Sequence, residues 1–298
     1  MTSNSILKVL AYFDIFRYPL TTKEINSFLD RPLHETELNG LLDELLRMKQ
    51  IFQLDEFYSL QNDLSLADRR RKGNVYADIL LNKAAKISKL LFKFPYVRAI
   101  GISGSVSKNF ADENADIDYF IITKANRLWI ARTLLHLFKK IPFIKNHHRY
   151  YCMNYFIDEA DLIIEEKNIY TATELFTLIP TAGNGSLKKF FEDNSWSIRY
   201  FPNRTLPVIK EEVNFPDPWV KKLVEFFLDN KIGTWLDNYF MKLTTTRWKK
   251  KEDEHKLNTK GERMGLKTGK HFSKNNPAFF HDWFMETYRK KLEEIEEK

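Results

Sequence analysis

The most informative stretch of the chain comprises two apolar segments, Ala99-Ile100-Gly101-Ile102-Ser103-Gly104-Ser105 and Asp116-Ile117-Asp118-Tyr119-Phe120-Ile121-Ile122. The first segment ends in Gly-Ser, and the second begins with two carboxylates that flank one apolar residue. Short apolar runs of this kind are typical of buried strands. The pattern therefore predicts two neighbouring strands joined by a short helix and a loop.

The two carboxylates, Asp116 and Asp118, are predicted to point in the same direction. Side chains at positions i and i+2 of a strand lie on one face, about 7 Å apart along the chain. Two carboxylates held this close repel each other unless a cation lies between them, and hard divalent ions prefer oxygen ligands. The spacing therefore indicates a site for Mg2+ or Mn2+.

At these residues the chain resembles the DNA polymerase beta-like nucleotidyltransferase superfamily, whose signature is a Gly-Ser or Gly-Gly turn followed by Asp-x-Asp in an apolar strand. The resemblance covers roughly a fifth of the chain. It implies that Asp116 and Asp118 hold the metal ions that carry a nucleoside triphosphate (NTP), and that Gly104 and Ser105 contact its phosphates. Backbone N–H groups at a helix start favour anions, which supports the second role. Lys108, one turn further on, is a candidate phosphate ligand.

A third carboxylate is the missing part of this pattern. Active members of the family usually carry one on a neighbouring strand, where it completes the metal site and takes the proton from the attacking hydroxyl. The matching position here is Asn154, which can coordinate through its carbonyl oxygen but cannot act as a base near neutral pH. Asp158 would lie about 13 Å further along such a strand. Three interpretations remain: an enzyme that uses Asn154, an enzyme whose third acid lies elsewhere, and a binding-only relative.

The composition limits the class of protein. The chain has 298 residues, 43% of them hydrophobic, which is enough for two or three domains. No apolar stretch approaches the roughly 18 residues that span a bilayer, and the polar N-terminus predicts no signal peptide. Cys152 is the only cysteine, which excludes an intramolecular disulfide and a cysteine-cluster zinc site. These features favour a cytoplasmic protein, and the net charge of +7 suits a nucleotide or nucleic acid partner.

Residues 1–64 are predicted to form a winged helix-turn-helix. Three segments of helical periodicity precede a short hairpin that turns at Asp55-Glu56, and Thr21 and Glu24 have the spacing of a capping box. DNA-binding members of this fold insert the third helix into the major groove. The third helix here carries the acids Glu35, Glu37, Asp43 and Glu44. Because acids repel phosphate, a packing or protein-contact role is favoured, while DNA binding remains the alternative.

Two further segments carry clustered cations. Residues 65–165 are predicted to form the catalytic domain, which begins with a long helix, and residues 166–298 a helical C-terminal region. The run Arg69-Arg70-Arg71 starts the long helix and is either a solvated helix end or a cluster that reaches triphosphate or nucleic acid. The polar residues 249–275 form either a mobile loop or a basic flap. Within residues 249–275, the candidate ligands for nucleotide or acceptor are Lys267, Lys270, His271 and Lys274.

Together these features predict an α/β (α+β) protein with a nucleotidyltransferase fold, a small mixed sheet, an N-terminal winged helix and a C-terminal helical region. The predicted reaction is Mg2+-dependent transfer of a nucleoside monophosphate from NTP to an acceptor. The alternative is a nucleotide-sensing or catalytically silent protein that acts as a DNA-binding regulator through its winged helix. The sequence specifies neither the acceptor, nor the nucleobase, nor the oligomeric state.

Overall fold

The computed structural model is a mixed α+β protein built around one small mixed sheet. The structure describes residues 2–142, 144, 147–207, 217–257, 264–277 and 280–297. The sheet has six strands in the order β6-β3-β4-β5-β8-β7, and a separate two-stranded hairpin pairs β1 with β2. Among the described residues, no helix combines the length and apolarity needed to cross a membrane.

The N-terminal part consists of three helices and the small hairpin. Its elements are α1 (Thr2–Asp14), α2 (Thr22–Phe28), α3 (Glu35–Arg47), β1 (Phe52–Leu54) and β2 (Phe57–Ser59). The predicted capping box is present, because Thr21 and Glu24 exchange hydrogen bonds between side chain and backbone at the start of α2. Leucines at helical spacing on α3 are buried, and the acids of that helix remain exposed.

A long helix, α4 (Ser65–Leu91), connects this part to the sheet. The central strands are β3 (Val97–Ser103), β4 (Asp118–Thr123) and β5 (Cys152–Asp158). β3 and β4 are antiparallel, whereas β4 and β5 are parallel. A parallel pair needs a long crossover connection, which α6 (Leu128–Phe138) supplies between β4 and β5.

The region after residue 165 contains both helices and strands. Its elements are α7 (Ile169–Thr177), β6 (Ile179–Ala182), α8 (Asn184–Asp193), α9 (Trp219–Leu228), α10 (Lys231–Asp253), β7 (Met264–Thr268), β8 (Phe272–Pro277) and α11 (Phe280–Glu296). The prediction of a helical C-terminal region is therefore incomplete, because three strands lie here. β7 and β8 escape notice because their residues are mostly polar and lack alternating hydrophobicity. β8 pairs with β5 and β7 pairs with β8, which extends the sheet across the predicted boundary at residue 165.

The central strands β3 and β4 are buried on both faces, which explains their near-continuous apolar sequences. On one face, Ile121 packs in a cluster that includes Trp129 of α6 and buried residues of α4. On the other face, Phe120 packs against Phe190 of α8, with ring centroids 4.8 Å apart. Each such fully buried side chain contributes about 1.5–3 kcal/mol relative to exposure. The central strands, and the turn that follows β3, are therefore held rigidly between two helical layers.

Candidate functional site

The Gly-Ser turn lies directly beside the acidic strand. β3 ends at Ser103, which is paired with Asp118 in the β3–β4 ladder. Gly104 then has a φ of +73°, a conformation that L side chains adopt at a cost, and begins the short helix α5 (Gly104–Ser107). A β-carbon at this position would overlap the Asp118 carboxylate. The sequence therefore needs glycine here for two reasons, its backbone conformation and the close approach of Asp118.

The two predicted metal ligands lie at the start of β4. Both Asp116 and Asp118 are partly exposed, while Ile117 between them is fully buried. The prediction placed both acids inside the strand, whereas β4 begins at Asp118. Ile117 nevertheless bonds to the neighbouring segment, since its N–H donates to Arg149 O over 2.8 Å and its carbonyl accepts from Cys152 N over 3.2 Å. The alternating burial directs both carboxylates away from the core, as strand geometry requires.

Asn154 meets Asp118 across the parallel pair. Its side-chain amide donates to Asp118 Oδ1 over 2.5 Å. The β4–β5 register shifts at this point, because Tyr119 pairs with Met153 and Phe120 pairs with Tyr155. Asn154 is therefore the extra residue of a bulge, a device that re-aims a side chain. The structure brings the sequence-predicted Asn154 to the acidic pair, and an amide stands where a third carboxylate was sought.

Asp158 is held away from this site by its own structural contacts. It is fully buried at the far end of β5, in line with the separation expected from the strand rise. Its carboxylate accepts from the backbone N–H groups of Asn126 and Ala160, each over 2.9 Å. The ring of His271 lies 3.0 Å from the same carboxylate. Asp158 therefore anchors the loop after β4 and the β7–β8 hairpin.

Lys108 is bound within the protein at the end of α5. Its ammonium donates to Glu174 Oε1 over 2.6 Å and to Gly104 O over 3.0 Å. Glu174, on α7, is a site residue that no sequence motif indicated. Burial, followed by the negative charge of Glu174 and a contribution from Asp118, raises the pKa of Tyr170 well above its ordinary value. The ion pair between Lys108 and Glu174, at 2.6 Å, joins α7 to the end of α5.

Ser105 is the exposed member of the predicted phosphate-binding turn. Its carbonyl accepts from the N–H groups of Lys108 and Phe110, over 3.0 and 3.1 Å, which closes the turn after α5. Val106 is buried and fixes α5 to the sheet. The Ser105 hydroxyl is thus on an accessible part of a fixed turn beside Asp118.

The three arginines at the start of α4 all have partners in the protein, and Arg70 is buried whereas Arg71 is exposed. Arg70 is 4% exposed and pairs with Glu24 at 2.7 Å. Arg71 pairs with Glu56 of the hairpin turn at 2.6 Å. Arg69 donates to the backbone carbonyls of Phe16 and Arg17, which follow the end of α1. These contacts fasten the N-terminal part to the long helix, and the predicted alternatives of a free helix end or a triphosphate-binding cluster are both wrong for Arg70.

The basic residues near the C-terminus also have internal partners. In place of the predicted mobile loop or flap at residues 249–275, α10 continues to residue 253 and β7 and β8 form a hairpin. Lys267 and Lys274 both pair with Glu166, at 3.1 and 3.6 Å. Lys270, at the turn of the hairpin, is exposed. Residues 258–263 of the predicted flap lie outside the described residues.

The donor set at the head of β4 suits a hard cation. Two partly exposed carboxylates and one amide oxygen are ligands that Mg2+ prefers. Within the described part of the chain, no group of three or more His, Cys, Asp or Glu side chains is arranged to hold a metal ion. An ion here would therefore take two carboxylates from the protein, with the remaining positions left to the amide, water or a bound phosphate.

Comparisons with known proteins found no matching family model, no similar curated protein and no similar solved structure.

Proposed function

We propose that this chain is a Mg2+-dependent nucleotidyltransferase that moves a nucleoside monophosphate from NTP to an acceptor, on a nucleotidyltransferase fold with an N-terminal winged helix. The observation that carries the proposal is the contact between the Gly-Ser turn and the acidic strand. Gly104 is held so close to Asp118 that only glycine fits, and Asn154 reaches the same carboxylate from the next strand. A phosphate-binding turn and a pair of metal ligands are thereby joined in one rigid unit.

The residues have distinct roles in this proposal. Asp116 and Asp118 hold Mg2+, which when bound neutralises charge on the triphosphate. Ser105 and the N–H groups of its turn contact the phosphates. Lys108, whose ammonium is bonded to Gly104 O and to Glu174, contributes a positive charge beside the turn. Asn154 orients Asp118 by its hydrogen bond and, being an amide, does not take the proton of the acceptor.

Label transfer tests the proposal. The protein is incubated with each α-labelled NTP, Mg2+ or Mn2+ and cell extract, and the labelled product is identified. We expect transfer with the native chain and none with the double variant Asp116→Ala, Asp118→Ala. Glu192→Ala, an exposed acid on α8, is the matched control and should retain transfer. Transfer that survives the double substitution would assign the chemistry to another site.

A second candidate is a nucleotide-sensing protein without transferase activity. Two observations favour it: an amide occupies the third-acid position, and Lys108 is already paired with Glu174. Such a protein would bind Mg-NTP in calorimetry without releasing pyrophosphate. A nucleotide-sensing protein that also binds DNA through α3 has less support, since the exposed acids of that helix repel phosphate. Salt-dependent duplex binding that persists in the double variant would favour the DNA-binding form.

A further inference from the structure

Helix α9 turns its apolar side outward. Its exposed residues include Trp219 (74% exposed) and Phe226 (77% exposed), together with Val220, Leu223 and Phe227. At 100° per residue these five positions fall on one face of the helix. A surface helix of a monomeric globular protein normally directs such a face at the core.

The polar side of α9 is the side that faces the protein. Lys221 is 2% exposed and donates to Phe92 O and Val97 O, over 3.1 and 3.0 Å. Glu225 accepts from Arg98 over 2.7 Å and belongs to the same inner face. The orientation is thus fixed by buried charged groups whose loss of pairing would be costly. Rotating α9 to hide its aromatic face would break these contacts.

The next helix carries a second exposed apolar stripe. Ile232, Trp235 and Tyr239 of α10 are exposed by 67%, 65% and 49%, and their spacing places them on one stripe. Trp235 and Tyr239 stack with ring centroids 5.7 Å apart. Only Asp229 and Asn230 separate α9 from α10. We call the eight exposed residues of these two helices the outer face.

The outer face is about as large as the surface that one partner buries in a stable protein interface. Since an aromatic side chain offers about 150–250 Å2, the eight partly exposed residues present about 900 Å2. The largest apolar patch of an ordinary monomer covers about 300–600 Å2. A standard protein interface buries about 800 Å2 on each partner, with an aromatic-rich core.

We propose that the outer face is the contact surface between two copies of this chain. A two-fold axis places the α9–α10 hairpin against its own counterpart, which buries both outer faces in a four-helix arrangement. An anionic bilayer is the competing partner, but helices that lie on bilayers carry several basic residues beside the apolar face. Within α9, all of whose residues are described, Lys222 is the one exposed cation, because Lys221 is turned inward, and five of the six exposed cations of α10 follow Tyr239, beyond the last residue of the outer face.

Sedimentation of the full chain tests this proposal. We expect the native protein to have about twice the chain mass of 35.5 kDa at micromolar concentration. Phe226→Glu and Trp235→Glu should each reduce it to the mass of one chain, with an unchanged circular dichroism spectrum because both side chains face solvent. Val75→Glu on α4, an exposed apolar position outside the outer face, is the matched control and should remain dimeric.

Three results would overturn the proposal. One is a native chain that sediments as a monomer throughout the concentration range. Another is a dimer that persists in both glutamate variants while their spectra show native folding. The third is a monomer that co-sediments with vesicles of phosphatidylcholine and phosphatidylserine and loses this binding in Phe226→Glu, which would assign the outer face to a bilayer.

Discussion

The side-chain amide of Asn154 donates to Asp118 Oδ1 over 2.5 Å, although the two residues are 36 positions apart. The contact joins β4 to β5 at the bulge in their parallel ladder. A carboxylate in place of Asn154 would repel Asp118 unless a cation lay between them. The amide instead gives Asp118 a neutral hydrogen-bond partner.

Asn154→Asp should make the stability of the protein depend on Mg2+. Without the ion, the new carboxylate loses the hydrogen bond and repels Asp118, and we expect a loss of about 1–3 kcal/mol. Millimolar Mg2+ should restore most of this loss by binding between the acids. Thermal unfolding in EDTA and in Mg2+ measures the effect. Asn154→Ala is the control, since it removes the bond without adding charge. Equal melting of the Asp variant in both buffers would argue against a metal site.

Substitution of Glu174 should change NTP affinity through Lys108. Glu174→Gln removes the negative partner of the Lys108 ammonium and leaves its charge available to a phosphate. We expect the dissociation constant for Mg-ATP to fall several-fold, and Lys108→Met to raise it about tenfold, equivalent to about 1.4 kcal/mol. Calorimetric titration gives both constants. Lys188→Met, on an exposed side chain, should have no effect. Identical constants in all variants would remove Lys108 from the phosphate site.

Gly104→Ala should damage both the fold and the site. The alanine must adopt a φ of +73°, at a cost of about 1–2 kcal/mol, and its methyl group displaces the Asp118 carboxylate. The free energy of unfolding, measured with denaturant, and the rate of label transfer should both be reduced. Gly40→Ala is the matched control, because Gly40 lies within α3 and a β-carbon added there would meet no atom within 4 Å. That substitution should stabilise the protein by up to about 1 kcal/mol. Equal stability of the two variants would show that the turn does not require glycine at position 104.

The ionisation of Asp237 should lower the stability of the protein as the pH rises. It is 4% exposed and accepts from the N–H of Ile130 at the start of α6. Burial raises its pKa to about 6, above the ordinary value of about 3.9. Between these two pH values the folded state therefore binds more protons than the unfolded state. The contribution of Asp237 to stability is full below a pH of about 4 and is lost as the pH rises through about 6.

Asp237→Asn should remove this pH dependence and keep an acceptor for the Ile130 N–H. Between about pH 4 and 7 we expect the stability of the variant to rise relative to the native chain by up to about 3 kcal/mol. Chemical unfolding across this range measures the difference. Asp193→Asn, at the exposed end of α8, should follow the native curve. A difference between variant and native chain that stays constant with pH would show that Asp237 does not titrate here.

Features fixed by neighbours in sequence were predictable. The Thr-x-x-Glu spacing at Thr21 and Glu24 gives the capping box because both partners lie within one helical turn. The turn at Asp55-Glu56 gives the first hairpin for the same reason. The approach of the Gly-Ser turn to Asp118 also follows from local order, since consecutive strands commonly pair.

Features fixed by distant parts of the chain were not predictable. Lys108 and Glu174 are 66 positions apart, and nothing in either local pattern indicates that they meet. Arg70 is buried because the aromatic rings of Tyr18 and Phe57, at 4.4 and 4.2 Å, enclose it beside Glu24. Burial of an arginine depends on such partners, which only the folded chain supplies.

The buried guanidinium of Arg70 links the N-terminal helices to the Gly-Ser turn through a single ring. The ring of Tyr18 lies 4.4 Å from the Arg70 guanidinium, and its hydroxyl donates to Lys108 O over 3.2 Å. The same ring packs edge-on against Phe110, just after α5. A substitution that displaces Arg70 is therefore expected to loosen the segment that follows the Gly-Ser turn as well as the N-terminal helices.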